Sequence, residues 1–191
     1  SWAHIWLNEG WATYTECLWF EQSRGYQNGY LWDLFSAMRS LPERDQVKSE
    51  SGVSRPGMVS NAYENSWEVF RRLSNPYPKG CAVLHMLRSK LGEETFFKGV
   101  ALYVDRFKFK TAESDDFRKV MEEVSGKSLE QFFEQWVYSP GTPRVKVKAR
   151  WDAEHNALKL TAEQLQYVGD GAPAFVFDLP IWVYANESSE P

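Results

Sequence analysis

Apolar residues recur at helical spacing up to residue 143, and the pattern changes to strict alternation after it. The helical periodicity predicts helices over 8–23, 26–40, 64–73, 78–91, 92–107, 114–124 and 129–138. Residues 41–61 are polar and interrupted by Pro and Gly, which predicts a long surface loop. Most of the chain is therefore expected to be helical.

The alternating part of the chain predicts a short β segment. Val145, Val147 and Ala149 alternate with basic residues, which is typical of a half-buried strand with a charged outer face. Turn residues over 151–156 lead to a returning strand at 158–161, and 175–184 is expected to add one or two strands divided at Pro180. The row Arg144, Lys146 and Lys148 could bind an anionic partner, but a solvated face is the preferred interpretation. The predicted fold class is mainly α followed by a short antiparallel β segment.

The first predicted helix carries two acidic residues among large apolar ones. Aromatic and aliphatic side chains cover most directions of its wheel, so we expect it to be buried all round. Glu9 and Glu16 are two turns apart and share one face. Because a buried carboxylate needs a cation, hydrogen bonds or a metal, the pair is a candidate site. The alternative is that Glu9 merely complements the dipole of a helix capped by Asn8.

Composition restricts the function classes. The chain has 191 residues, 43% of them apolar and 16% aromatic, which is enough for a core. The net charge of −4 argues against nucleic-acid binding, and no apolar run is long enough to span a membrane. Cys17 and Cys81 follow no metal or redox spacing, so we expect buried apolar side chains rather than a disulfide.

The segment from Trp2 to Glu16 resembles a motif of the M1 family of zinc aminopeptidases (gluzincins). In that family H-E-x-x-H is followed, after a fixed spacing, by a Glu within W-L-N-E-G-[FW]-A, and residues 6–12 here read W-L-N-E-G-W-A. The resemblance implies that Glu9 is the third protein ligand of a His₂Glu zinc site with an open position for water. It also implies that Glu16 orients a zinc-bound histidine.

Two further segments support the same resemblance. Residues 77–88 read Y-P-K-G-C-A-V-L-H-M-L-R and are similar to the family's Y-E-K-G-A-x-V-L-x-M-L, whose Tyr binds the oxyanion of the tetrahedral intermediate. Tyr77 holds that position, and Pro78 replaces the usual Glu at what we expect to be the first helical position. Residues 132–164 resemble the junction between the helical lobe and a β-sandwich. The resemblance therefore implies the C-terminal helical part of a thermolysin-like catalytic domain over 1–140 and the start of a β-sandwich over 141–191.

Two expected motifs are missing from the sequence. Neither H-E-x-x-H nor the amine-binding G-x-M-E-N occurs, and His4, His85 and His155 have no metal-ligand spacing. We therefore expect a fragment of a zinc metallo-aminopeptidase that removes N-terminal residues from peptides, with the isolated chain inactive and binding no zinc stably. The alternatives are a non-catalytic helical scaffold or interaction module derived from the M1 fold, and a related M1 hydrolase.

An apolar helix face without its partner predicts association. We expect Trp6, Trp11 and Phe20 to be exposed where a preceding helix would pack, and the chain to self-associate. No targeting segment can be read from the chain, so its compartment is left open.

Overall fold

The computed structural model describes residues 1–39, 41, 56–71 and 74–181. The helices in these ranges are α1 (Trp6–Arg24), α2 (Trp32–Met38), α3 (Ser66–Arg71), α4 (Pro76–Leu91), α5 (Glu93–Phe107), α6 (Ser114–Ser125) and α7 (Glu130–Phe133). A 3₁₀ turn (Trp2–His4) precedes α1, and π-helical turns (Tyr26–Leu31 and Glu134–Tyr138) precede α2 and follow α7. Strands β1 (Val145–Asp152) and β2 (Ala157–Gln164) form one antiparallel pair. The predicted fold class is confirmed.

The helix starts differ from the predicted ones at two positions. Helix α1 follows directly from the preceding 3₁₀ turn with Ile5 as its N-cap residue, so the expected Asn8 cap is wrong. Helix α4 begins at Pro76, because the Asn75 side chain accepts a hydrogen bond from the backbone N–H of Tyr77. The structure therefore places Tyr77 inside the first turn of α4. The predicted loop over 41–61 lies mostly outside the described residues.

Helix α1 has one buried and one exposed face. Its buried residues recur every three or four positions, namely Trp6, Gly10, Tyr14 and Cys17. The opposite face exposes Glu16 and Trp19, so the expectation of a helix buried all round is wrong. The expected exposure of Trp6 is also wrong, because its indole lies in the core and is 0% exposed. Trp11 and Phe20 are half-buried.

Two glycines set how closely α1 and α4 pack. A Cβ atom built on Gly10 would lie 2.8 Å from the Cα of Gly80, and one built on Gly80 would lie 2.7 Å from the Cα of Gly10. Such distances are well inside carbon–carbon contact, so the two backbones touch where the helices cross. No other residue type fits at this crossing without moving a helix.

Aromatic side chains fill the core around that crossing. Trp6 makes edge contacts with Phe117 of α6 and Phe133 of α7, and Trp11 stacks on Phe96 of α5 at 6.0 Å. Phe117 and Phe96 are 0% exposed. The aromatic excess of the sequence therefore serves packing between α1 and the later helices.

A polar network lies within the core between α1, α2 and α4. The Tyr30 hydroxyl donates to the Tyr14 hydroxyl at 3.0 Å and is 2.7 Å from Nδ1 of His85. Arg88 makes a bidentate pair with Glu21 at 2.9 and 3.1 Å, which links α4 to α1. These buried polar groups are satisfied by one another, as a stable core requires.

His4 connects the start of the chain to α6. Its Nδ1 accepts a hydrogen bond from the backbone N–H of Ser114 at 3.2 Å, and Trp6 Nε1 donates to the Ser114 hydroxyl at 2.8 Å. Burial lowers the pKa of His4 below its ordinary value, against the opposing charge of the Glu113 carboxylate. His4 is therefore a neutral acceptor that caps α6.

The β-hairpin pairs Val145 with Gln164 and Asp152 with Ala157 at its two ends. Cross-strand partners share a face, so one face is apolar and the other carries the basic residues that the alternation predicted. All of β2 is exposed, as is β1 apart from its two ends, so the half-buried strand expected from the alternation of Val145, Val147 and Ala149 is wrong.

The segment after β2 is not a strand over 173–181, and the prediction of strands there is wrong within the described residues. Its backbone is bonded by two amide side chains instead. Gln164 accepts from the N–H and donates to the C=O of Phe175, and Gln135 does the same for Val176. Phe175 stacks on Trp136 at 4.7 Å. The backbone groups that a strand would use are thus already satisfied.

Candidate functional site

The crossing of α1 and α4 brings together two of the three predicted site residues. Glu9 precedes Gly10 in the first turns of α1, and Tyr77 lies one turn before Gly80 in α4. Because Gly10 and Gly80 are in backbone contact, the residues beside them project into the same space. The Tyr77 phenol accordingly lies against the carboxylate of Glu9.

The environment of Tyr77 keeps the phenol protonated. Burial and hydrogen bonding to Glu9 both raise the pKa of Tyr77, because each disfavours the phenolate. The side chain is nevertheless 39% exposed, so one side of the hydroxyl remains accessible. Asn75 fixes the backbone, and Phe70 lies beside the ring with centroids 6.1 Å apart. This arrangement provides a hydrogen-bond donor held in a defined place.

An aromatic surface continues from Tyr77. Phe70 makes edge contacts with Trp2 at 6.0 Å and Trp67 at 6.3 Å. Trp2 and Trp67 are 48% and 69% exposed. The site therefore opens beside a group of exposed rings, which is unusual for a protein surface.

The Glu9 carboxylate suits a metal chemically, but it is a single ligand. It is half-buried, and its neighbours are the amide of Asn8 at 3.4 Å and the Tyr77 phenol, neither of which is a cation. A carboxylate oxygen is an ordinary zinc ligand, whereas a stable zinc site needs three or four protein ligands. Within the described residues no histidine, cysteine or second carboxylate joins Glu9 in a potential metal cluster. A zinc ion here would need further ligands from outside the described residues.

The described residues contain one cluster of three potential metal ligands, and Glu9 is not part of it. Asp152, Glu154 and His155 have ligand atoms within 4.8 Å of one another at the hairpin turn. His155 is bonded to Asp152 at 3.0 Å, and the group is largely exposed. This geometry is that of an ordinary polar turn.

The third predicted residue, Glu16, is not brought to Glu9 and Tyr77. It is exposed on α1, and within the described ranges it accepts no hydrogen bond and forms no ion pair. A role in orienting a metal-bound histidine requires that the histidine come from elsewhere, so the role of Glu16 stays a prediction.

Three other polar residues form hydrogen bonds that stabilise the fold. Lys79 is 2% exposed and donates to the carbonyl of Gly141 at 3.1 Å. His4 caps α6 and His85 lies in the core network.

Sequence reasoning missed the feature that assembles the site. The contact between Gly10 and Gly80 was not predicted, although a glycine inside each helix was a usable signal for close backbone approach. The capping by Asn75 was also missed, and the Asn-Pro pair at 75–76 is its signal. Gly10 directly follows Glu9, and Asn75 and Gly80 lie within three residues of Tyr77.

Comparison with known proteins identifies the family of the chain. Residues 1–136 match the Peptidase family M1 domain. The chain is 32% identical to Aminopeptidase M1-A of Oryza sativa subsp. japonica over 90% of its length, covering 18% of that protein. It is also 32% identical to Alanine/arginine aminopeptidase of Saccharomyces cerevisiae over 89% of its length, covering 19% of that protein. The chain thus spans less than a fifth of these curated relatives.

Solved structures show the same fold. Aminopeptidase A of Legionella pneumophila superposes on 86% of the chain with a TM-score of 0.66 at 19% identity, and the chain covers 17% of it. An M1 zinc metallopeptidase from Deinococcus radiodurans superposes on 75% of the chain with a TM-score of 0.53 at 27% identity, and the chain covers 29% of it. From the matched domain over 1–136 and these relatives, the chain belongs to peptidase family M1.

Proposed function

We propose that this chain supplies one zinc ligand and one oxyanion donor to an aminopeptidase centre whose remaining ligands lie outside these 191 residues. The observation that carries the proposal is the placement of the Glu9 carboxylate against the Tyr77 phenol at the α1–α4 crossing. The relatives support the reaction class, because they are named as aminopeptidases and zinc metallopeptidases. A mutant of the Deinococcus enzyme is bound to a Tyr-Ser-Ala substrate, which supports peptides as the substrate class.

In this proposal each residue has a separate task. Bound zinc polarises a carbonyl and lowers the pKa of its water. Glu9 contributes an anionic oxygen from a helix whose backbone is fixed by contact with α4, so the ligand is held before the metal arrives. Tyr77 retains its proton and donates a hydrogen bond to the oxygen that gains negative charge at the scissile carbon. A tyrosine phenol has an ordinary pKa of about 10. Since the pKa of Tyr77 is raised further, its phenol is protonated at neutral pH.

Two further assignments belong to the same proposal. Glu16 orients a histidine ligand from outside the chain, consistent with its free, exposed carboxylate. Residues 1–140 form part of the helical catalytic domain, and 141–191 begin a β-sandwich. The change from helix to strand between Tyr138 and Val145 supports this division.

The role of Tyr77 is tested in the longer protein that carries this chain. Tyr77→Phe removes the hydroxyl and keeps the ring, so kcat for an aminoacyl anilide is expected to fall by about 100-fold or more with KM little changed. Tyr26→Phe is the matched control, because Tyr26 is exposed on the turn before α2. Unchanged kcat in Tyr77→Phe would overturn the oxyanion role of Tyr77, whereas a wild-type longer protein without measurable kcat would favour the non-catalytic scaffold.

The isolated chain is proposed to be inactive and to hold no stoichiometric zinc, since one carboxylate cannot replace a His₂Glu set. Metal analysis after dialysis against micromolar zinc tests this directly. One zinc per chain, lost in Glu9→Ala, would show that the chain completes a site by itself and would contradict the bipartite centre.

We also propose that the isolated chain self-associates through exposed aromatic residues, although not through those first expected. Exposed rings on the helical part of the chain include Trp2, Trp19, Trp32, Phe35 and Trp67, each 48–71% exposed. Such rings favour association when they form a patch. Light scattering should show a mass that rises with concentration, and a monomer at all concentrations would refute the proposal.

A further inference from the structure

Two cysteines from different helices are in direct contact. Cys17 of α1 and Cys81 of α4 have their Sγ atoms 3.8 Å apart, and both are 0% exposed. The pair lies on the same helix–helix interface as the Gly10–Gly80 contact, with Cys81 adjacent to Gly80. The close backbones at this crossing are what bring two short side chains within reach of each other.

A carboxylate adjoins the pair on one side. The Cys17 thiol donates to Oδ2 of Asp33 at 3.3 Å, and Asp33 lies in the first turn of α2 and is half-buried. Hydrogen bonding to Cys81, burial and the neighbouring Asp33 carboxylate all raise the pKa of Cys17, so its thiol stays protonated while the helix pair is closed. Asp33 therefore disfavours the thiolate.

We propose that Cys17 and Cys81 are an oxidation site that forms an intrachain disulfide with peroxide. The proposal goes beyond the peptidase function and does not depend on it. A disulfide needs Sγ atoms about 2.05 Å apart, so side-chain rotation must close the present gap by about 1.8 Å. The resulting bond would tie α1 to α4 beside the crossing that positions Glu9 and Tyr77.

The reaction proceeds in two balanced steps. The Cys17 thiol gives its proton to solvent water when the helix pair opens, the sulfur attacks one peroxide oxygen, the O–O bond breaks, and the departing hydroxide takes up a proton from solvent and leaves as water. Cys81 then attacks the sulfenic sulfur, the S–O bond breaks, and a second water leaves with the Cys81 proton. Two thiols lose two electrons to one peroxide, giving one disulfide and two waters. Access of peroxide to the buried sulfur requires local opening of the helix pair.

The experiment treats the native chain with hydrogen peroxide, then alkylates free thiols under denaturing conditions and digests without reduction. The expected product is a peptide pair joined through Cys17 and Cys81, lighter than the sum of its parts by two hydrogen masses and separated by reductant. Cys17→Ala and Cys81→Ala each abolish it. Asp33→Asn is expected to speed its formation on the order of tenfold, because it removes a charge that raises the pKa of Cys17. Asp105→Asn, which changes an exposed carboxylate on α5, leaves the rate unchanged.

Circular dichroism confirms that the variants remain folded before oxidation. Both thiols alkylated after peroxide treatment, sulfinic acid without a cross-link, or only intermolecular disulfides would overturn the proposal. A slower or unchanged rate in folded Asp33→Asn would overturn the inference that Asp33 restrains the oxidation of Cys17.

Discussion

Replacing Gly10 by Ala tests whether the backbone contact of α1 with α4 determines the geometry of the site. The new Cβ would lie 2.8 Å from the Cα and 2.9 Å from the carbonyl carbon of Gly80. Carbon atoms in contact are about 3.5–4.0 Å apart, so the two helices must separate by about 0.7 Å or more. Backbone atoms cannot rotate away as a side chain can, so the strain is distributed over the whole interface.

The magnitude follows from two opposing terms. Overpacking a core costs about 1–3 kcal/mol, and a clash with backbone belongs at the upper end. Alanine is favoured over glycine within a helix by about 1 kcal/mol. The net destabilisation of Gly10→Ala is therefore about 2 kcal/mol, which corresponds to a Tm lower by about 6 °C for a chain of this size.

Gly99→Ala is the matched control for this prediction. Gly99 is buried in the middle of α5, and its added Cβ would meet the side-chain sulfur of Met121, which can change rotamer. The helix-propensity gain is the same in both variants, so the difference between their free energies of unfolding isolates the backbone clash. Urea unfolding followed by tryptophan fluorescence gives both free energies. A Gly10→Ala chain as stable as Gly99→Ala would refute the reasoning.

Three further predictions concern the contacts that hold α1, α4 and the last described segment. Because burial lowers the pKa of His4, a proton binds this histidine more tightly in the unfolded chain, so its contribution to stability is full above about pH 6.5 and falls below it. Between about pH 7.5 and 5.5, a range that spans the unfolded pKa of histidine, the urea midpoint should fall less in His4→Gln than in the wild-type chain. Equal decreases in the two chains would contradict this. Arg88→Leu should lower the free energy of unfolding by about 2 kcal/mol by leaving a partly buried carboxylate unpaired, whereas exposed Lys90→Leu should change it by under about 0.5 kcal/mol. Trp136→Ala should lower the free energy of unfolding by about 3 kcal/mol and speed proteolysis after β2. Trp151 is 59% exposed, so Trp151→Ala should change neither the stability nor the proteolysis rate.

The helices could be predicted largely from local signals. Helix α4 ends before Gly92, where φ is +82°, and α6 starts at Ser114, as the sequence pattern indicated. The start of α4 was misplaced by two residues, because capping by Asn75 was not considered. Such errors are small, since each helix boundary depends on a few neighbouring residues.

The end of the described chain could not be predicted from alternation. Phe175 and Val176 belong to a segment with strand-like alternation, yet their backbone groups bond to the side chains of Gln164 and Gln135. Gln135 is 41 residues from Val176 in sequence. A contact at that separation leaves no local signature, so periodicity alone predicts the wrong structure.

The candidate site likewise combines residues that could be predicted from local motifs with a contact that could not. Glu9 and Tyr77 were selected by resemblance to family motifs, and membership of peptidase family M1 is confirmed. Their juxtaposition depends on Gly10 and Gly80, which are far apart in sequence and meet only through helix packing. The roles assigned to Glu9, Glu16 and Tyr77 remain predictions that only measurements on a metal-loaded protein can test.

The zinc content of the longer protein that carries this chain tests the central claim most directly. Wild-type protein and the control Glu123→Ala, which changes an exposed acid of α6, are expected to hold one zinc per molecule after dialysis against chelator-free buffer. Glu9→Ala is expected to lose most of this zinc while keeping its helical circular dichroism, because a remaining pair of ligands binds zinc weakly. Stoichiometric zinc in folded Glu9→Ala would contradict the account.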